Sequence, residues 1–157
     1  MGITVAATLL VLNFGDAPTM AKDMSATGQI QEGSAVAPSL VDLRSASLNE
    51  MLEYRDLENG WDGVGSAMPD SHAINDAVDF LIALPAEILP PDPTASADGS
   101  VGWFWNQADA SISIKFTGGG KFAYYAKSKS KALEARGLGV FDGKSIPDDL
   151  LQIMFLA

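Results

Sequence analysis

Ile74, Ala77, Val78 and Leu81 recur at i, i+3, i+4 and i+7, the stripe of a helix that buries one face. Pro69-Asp70-Ser71 supplies start chemistry, and Pro85 stops the helix by disfavouring helical geometry in its predecessor, so a helix is predicted over 71–84. Ser47-Leu48-Asn49-Glu50 has the form of a capping box. With the apolar side of Leu48, Met51, Leu52 and Tyr54, and Asn59-Gly60 as a stop, it predicts a helix over 48–58. Ser145-Ile146-Pro147-Asp148-Asp149 opens a third, over 147–156, apolar nearly all round and therefore buried or sticky toward a partner. Ser130 to Arg136 adds a short helix ended by Gly137.

Between these the period changes to two. Residues 101–106, 110–116 and 121–127 read as strands, closed into hairpins by Asn106 to Asp109 and by Gly118-Gly119-Gly120. Alternation sets Ile112, Ile114 and Phe116 on one face of the middle strand and Ser111, Ser113 and Lys115 on the other. The same rule separates Trp103 and Trp105 from Phe104. The prolines at 90, 91 and 93 mark an exposed connection ending in an Asp98-Gly99 turn, and Val140-Phe141 is a further strand fragment. The expected fold is α+β: a three- to four-stranded antiparallel meander with helices packed on one face.

Folded structure is expected from Leu40, giving one α+β domain over 40–157. Residues 15–39 are small and polar, the composition of a linker, so 1–39 is read as poorly ordered or dispensable, with Met20 or Met24 as an internal start. The apolar run from Ile3 to Phe14 is too short to span a bilayer, and neither a preceding cation nor a cleavage site marks it as a signal peptide. A cytoplasmic, non-membrane protein is expected.

Composition narrows the chemistry. The absence of cysteine removes disulfides, thiolate catalysis and sulfur-ligated zinc, and a single histidine removes multi-histidine metal sites. No cofactor is expected. A net charge of -10 disfavours nucleic acid, whose binding is driven by Lys and Arg. The charge is uneven: residues 42–98 carry twelve acids against Arg44 and Arg55, whereas 111–144 carry seven cations against Glu134 and Asp142. An acidic helical half and a basic strand-rich half could dock on each other or present two oppositely charged faces; the simpler expectation is that folding mixes the two sets over one solvated surface.

The stretch Trp61-Asp62-Gly63-Val64-Gly65-Ser66 with Pro69 reads as a structured corner, Trp61 plugging the gap between helices and Asp62 capping a turn or the next helix. Together with Pro93-Thr94, Asp98-Gly99 and the strand holding Trp103 and Trp105, it resembles a loose set of small, uncharacterised bacterial and phage proteins. These pair a W-D-G-x-G-[AS] corner with a helix, a P-T…D-G turn and a Trp-bearing strand. Here Ala95-Ser96-Ala97 makes the spacer longer than in that set. The resemblance implies a phage or mobile-element context and a role as antitoxin or anti-defence inhibitor.

The expected function is a non-catalytic protein-interaction module with an acidic binding surface, its partner another protein such as a basic toxin or a nucleic-acid-binding defence protein. The candidate contact residues are Trp61, Asp62, Asp76, Asp79, Trp103, Trp105 and Tyr124, aromatic anchors and acids of the kind that dominate interfaces. The C-terminal helix is a candidate homodimer contact. Two alternatives stand beside this. A small metal-assisted hydrolase requires Asp62, Asp98 and His72 to converge in one pocket. A single-strand nucleic-acid binder would stack bases on the aromatic sheet beside Lys115, Lys121 and Lys127.

Overall fold

Trp103 lies opposite Ile114, Trp105 opposite Ile112, and Phe116 opposite Phe122, so the large residues of three successive strands share one face. The computed structural model describes residues 36–156. It contains α1 (Leu40–Glu53), a 3-10 turn (Tyr54–Asp56), α2 (Ser71–Ala83), β1 (Asp92–Ala95), β2 (Val101–Asn106), β3 (Ala110–Gly118), β4 (Lys121–Ser128), β5 (Glu134–Val140) and α3 (Asp148–Met154). The expected N-terminal segment falls, up to residue 35, outside the described residues. The strands form one antiparallel sheet in the order β1-β2-β3-β4-β5. The class is α+β, as expected, with five strands where three or four were predicted.

The helices cover the face bearing Trp103, Trp105, Ile112, Ile114, Phe116 and Phe122, all buried. Phe80 of α2 meets Phe116 edge-on at 5.5 Å and Phe141 at 5.3 Å between ring centroids. Such offset contacts are favourable beyond the area they bury. Each buried indole keeps a partner for its N–H: Trp103 Nε1 donates to the Ala77 carbonyl at 2.7 Å, and Trp105 Nε1 to that of Leu89 at 2.7 Å. Ser113, Tyr125 and Lys127 project from the other, uncovered face, the wet side that the middle-strand alternation predicts.

Three elements differ from expectation. β1 lies inside the proline stretch; Pro93 is tolerated because β1 is an edge strand with a neighbour on one side only. Residues 134–140 form β5 where a helix was expected over 130–136. Their small positions explain this: a side chain at Gly137 would strike the Tyr124 ring at 2.7 Å, and one at Gly139 would press on Phe122 at 3.1 Å. Gly137 therefore makes room for a ring and does not stop a helix. Finally, α1 starts at Leu40, not at 48, with the capping box on Ser39 and Asp42. The Ser47 hydroxyl instead donates to the Pro91 carbonyl at 2.6 Å, joining α1 to the approach to β1.

Arg44 explains how α1 is held. Pro85 ends α2 and strips its last carbonyls of intrahelical donors. The Arg44 guanidinium caps this end and the turn beyond it, donating to the carbonyls of the cap residue Leu84 (2.9 Å), Pro85 (2.8 Å) and Ile88 (3.0 Å), with a longer contact to Leu81 (3.5 Å). A cation there also complements the helix dipole. Arg44→Ala is expected to lower stability by about 2–3 kcal/mol in urea denaturation, the value of hydrogen bonds to a charged donor. Arg44→Lys should recover less than half, because an ammonium cannot span carbonyls on both sides of the proline. Equal stability of the Lys variant and the parent would refute this role.

Candidate functional site

The corner between α1 and α2 closes on itself. Gly60, Gly63 and Gly65 have φ of 91°, 111° and 93°, left-handed values that L side chains rarely adopt. The buried Ser66 is the knot: its hydroxyl donates to the Gly63 carbonyl at 2.9 Å and accepts the Asp62 N–H at 3.1 Å. Trp61 is half-buried, its Nε1 donating to the Ala67 carbonyl at 3.0 Å. Asn59 accepts the Met68 N–H at 2.9 Å. The strand-like Ala67 then lies parallel to Asp98, and the Asp70 N–H reaches the Gly99 carbonyl at 2.8 Å, so the corner is docked on the turn before β2.

This revises the role of Asp62. Its carboxylate is exposed and accepts no hydrogen bond among the described residues; the α2 cap is Asp70, which accepts from His72 N at 2.8 Å and Ala73 N at 3.0 Å. Asp76 is half-buried and accepts the Gly120 N–H at 2.7 Å, tying α2 to the β3–β4 hairpin. Asp79 remains exposed on α2. Trp103 and Trp105 are core residues with 0% and 1% exposure, so neither reaches a partner. Tyr124 is half-buried on the helical side, where its hydroxyl donates to the Asp149 carboxylate at 3.0 Å. Burial first, then Asp149, pushes the phenol above its ordinary pKa. The seven residues thus divide among core, corner and surface and do not form one patch.

Nor does the catalytic set of the hydrolase reading assemble. The Asp98 carboxylate is engaged by Lys115 Nζ at 2.8 Å and by Ser100 Oγ and N, which hold it well below the usual carboxylate range. A shallow groove beside Asp98 is lined by Arg55, Asp70 and Ser71 but includes neither Asp62 nor His72. No group of three His, Asp or Glu among the described residues is spaced to hold a metal ion.

Charge, by contrast, is gathered. The acids Asp42, Glu50, Glu53, Asp56, Glu58, Asp62, Asp70, Asp79 and Glu87 are all exposed on the helical layer and the loops that join it. Lys115, Lys121, Lys127 and Arg136 alternate onto the uncovered face of the sheet. Folding thus gathers nine of the twelve acids on the covering helices and their loops and four of the seven cations on wet strand positions, while Asp92 shares the uncovered face and Asp98 joins the two sets through Lys115. Among the described residues the only ion pair is Lys115–Asp98, so no described cation pairs with the helical acids.

Within the acidic layer, α1 and α2 leave a largely apolar groove of about 270 Å³ between Leu40, Val41, Leu48, Leu81, Ile82 and Ala86, with Arg44 and Ser45 completing its wall. Val41 and Ile82 are 73% and 67% exposed, large apolar groups at the mouth of a concavity. Asp79 stands one turn before Ile82, and Glu87 follows Ala86. The signal for this groove in the sequence is Val41 and Ile82 themselves, which lie off the core stripes of their helices.

Comparison with known proteins adds no constraint: no family model, curated protein or solved structure matches this chain.

Proposed function

We propose that this chain is a non-catalytic binding module that captures a basic protein segment in the groove between α1 and α2. The carrying observation is an apolar concavity set in a layer of carboxylates that have no cation partner within the described chain. Apolar groups at a groove anchor an amphipathic segment, and unpaired acids around it select cationic neighbours and speed encounter. Such a module needs no catalytic residue, since it works by occupying a surface. An antitoxin or anti-defence inhibitor, the role implied by the resemblance, acts in this manner toward a basic toxin or a nucleic-acid-binding defence protein.

The test is affinity capture from the native host with the parent chain and with Ile82→Lys and Asp62→Asn run in parallel. A basic protein retained by the parent and by Asp62→Asn, but lost by Ile82→Lys and released by salt, is the expected result. Recovery of the same proteins on all three baits, or of none, overturns the proposal. A fall in the melting temperature of Ile82→Lys would also overturn it, by showing that the chain itself fills the groove.

A further inference from the structure

The two edges of the sheet are treated differently. At β1 the edge is short, holds Pro93, and is covered by α1 and the 3-10 turn after it, whose Tyr54 hydroxyl donates to the Pro93 carbonyl at 3.1 Å. These are common means of closing an edge against strand addition. β5 has none of them. Its seven residues contain no proline, and no hydrogen bond among the described residues reaches its outer side.

Which groups are free follows from the pairing with β4. Leu133 O accepts from Ser128 N and Phe141 N donates to Gly120 O, so odd-numbered positions face β4. Antiparallel strands alternate, and the N–H and C=O of Glu134, Arg136, Leu138 and Val140 therefore point away from the sheet. The side chains of these same residues lie on the uncovered face, where Leu138 and Val140 are 87% and 72% exposed. On the helical side, α3 packs over β4 and β5 with Phe155, 58% exposed, just past its end. Leu138 and Val140 thus leave apolar groups exposed along the open edge itself.

We infer that β5 pairs antiparallel with β5 of a second copy, about a two-fold axis at Gly137, to give a continuous ten-stranded sheet. This register sets Arg136 opposite Leu138 of the second copy and Glu134 opposite Val140, so no like charges face each other and all the outward groups of β5 are paired. The helical-side positions are Ala135, Gly137 and Gly139, small enough for the two covering layers to meet. A closed two-fold contact uses one surface twice, which suits an edge carrying exposed Leu138 and Val140. The C-terminal helices, expected from sequence to make a dimer themselves, would flank the axis.

The experiment combines sedimentation equilibrium with amide hydrogen exchange on the full chain. The parent should have twice the chain mass, and the Arg136, Leu138 and Val140 amides should exchange as slowly as those of Ala135, Gly137 and Gly139. Leu138→Pro removes an outward N–H without touching a bond to β4 and should give a monomer with unprotected 136 and 140 amides. Leu138→Lys, which faces a lysine with Arg136 of the second copy, should shift the equilibrium the same way should the proline variant fail to fold. A monomeric parent, alternating fast and slow amides along β5 in the parent, or a dimer that survives the substitutions overturns the inference.

Discussion

Trp103→Ala is expected to cost about 3–5 kcal/mol, the range for emptying an aromatic site in a packed core. That is a large share of the roughly 5–15 kcal/mol that holds a domain together. The residue is fully buried, faces Ile114 across the strand pair, and bonds through Nε1 to the Ala77 carbonyl in the middle of α2. It is thus both filler and fastener, and its loss opens a cavity at the contact of α2 with the sheet. Trp103→Phe keeps most of the volume but leaves the carbonyl without the indole donor, and should cost about 1–2 kcal/mol. Urea denaturation followed by circular dichroism separates the two. An alanine variant within about 1 kcal/mol of the parent would show that the surrounding residues collapse into the space.

Gly102→Ala should be of similar severity for a different reason. A Cβ at Gly102 would fall within the van der Waals envelope of the Ile114 carbonyl oxygen, and backbone cannot swing aside as a side-chain tip can. Two strands would have to part, with loss of their ladder and of the register that aligns Trp103 with Ile114. A loss of about 3–4 kcal/mol, or failure to fold, is expected, values found when a substitution breaks a specific packing rule. Gly63→Ala is the contrast. Nothing lies within 4 Å of a Cβ there, so only the strain of φ 111° remains, about 1–2 kcal/mol. Equal effects of the two alanines in thermal melts would refute the close approach at Gly102.

The sequence carries period directly and neighbourhood only indirectly. β2, β3, β4 and α2 were legible because Trp103-Phe104-Trp105, Ile112 to Phe116 and the stripe from Ile74 to Leu81 repeat with clear periods. Alternation also shows that Trp103 and Trp105 share a face. Their placement as contact residues failed because period two does not say which face the helices cover. The register does: it aligns both tryptophans with Ile112 and Ile114, whose companions Ser111, Ser113 and Lys115 must be wet. β5 was hidden because the helix-forming run from Lys131 to Arg136 outweighs a strand whose merit is small residues under the rings of β4. Arg44 gave no local signal, since its carbonyl partners lie 37 to 44 residues away.

The strictly sequential order of the sheet bears on how the chain folds. Every strand pairs with its neighbour in sequence, so hairpins can add one after another with little loop entropy to overcome, which favours rapid folding. The helices depend on later chain, and α1 illustrates this. It leaves the ribosome early, yet the carbonyls that receive Arg44 and the strand that meets Tyr54 come about forty residues later. Until then α1 lacks these partners, and its docking is expected to be a late event in folding.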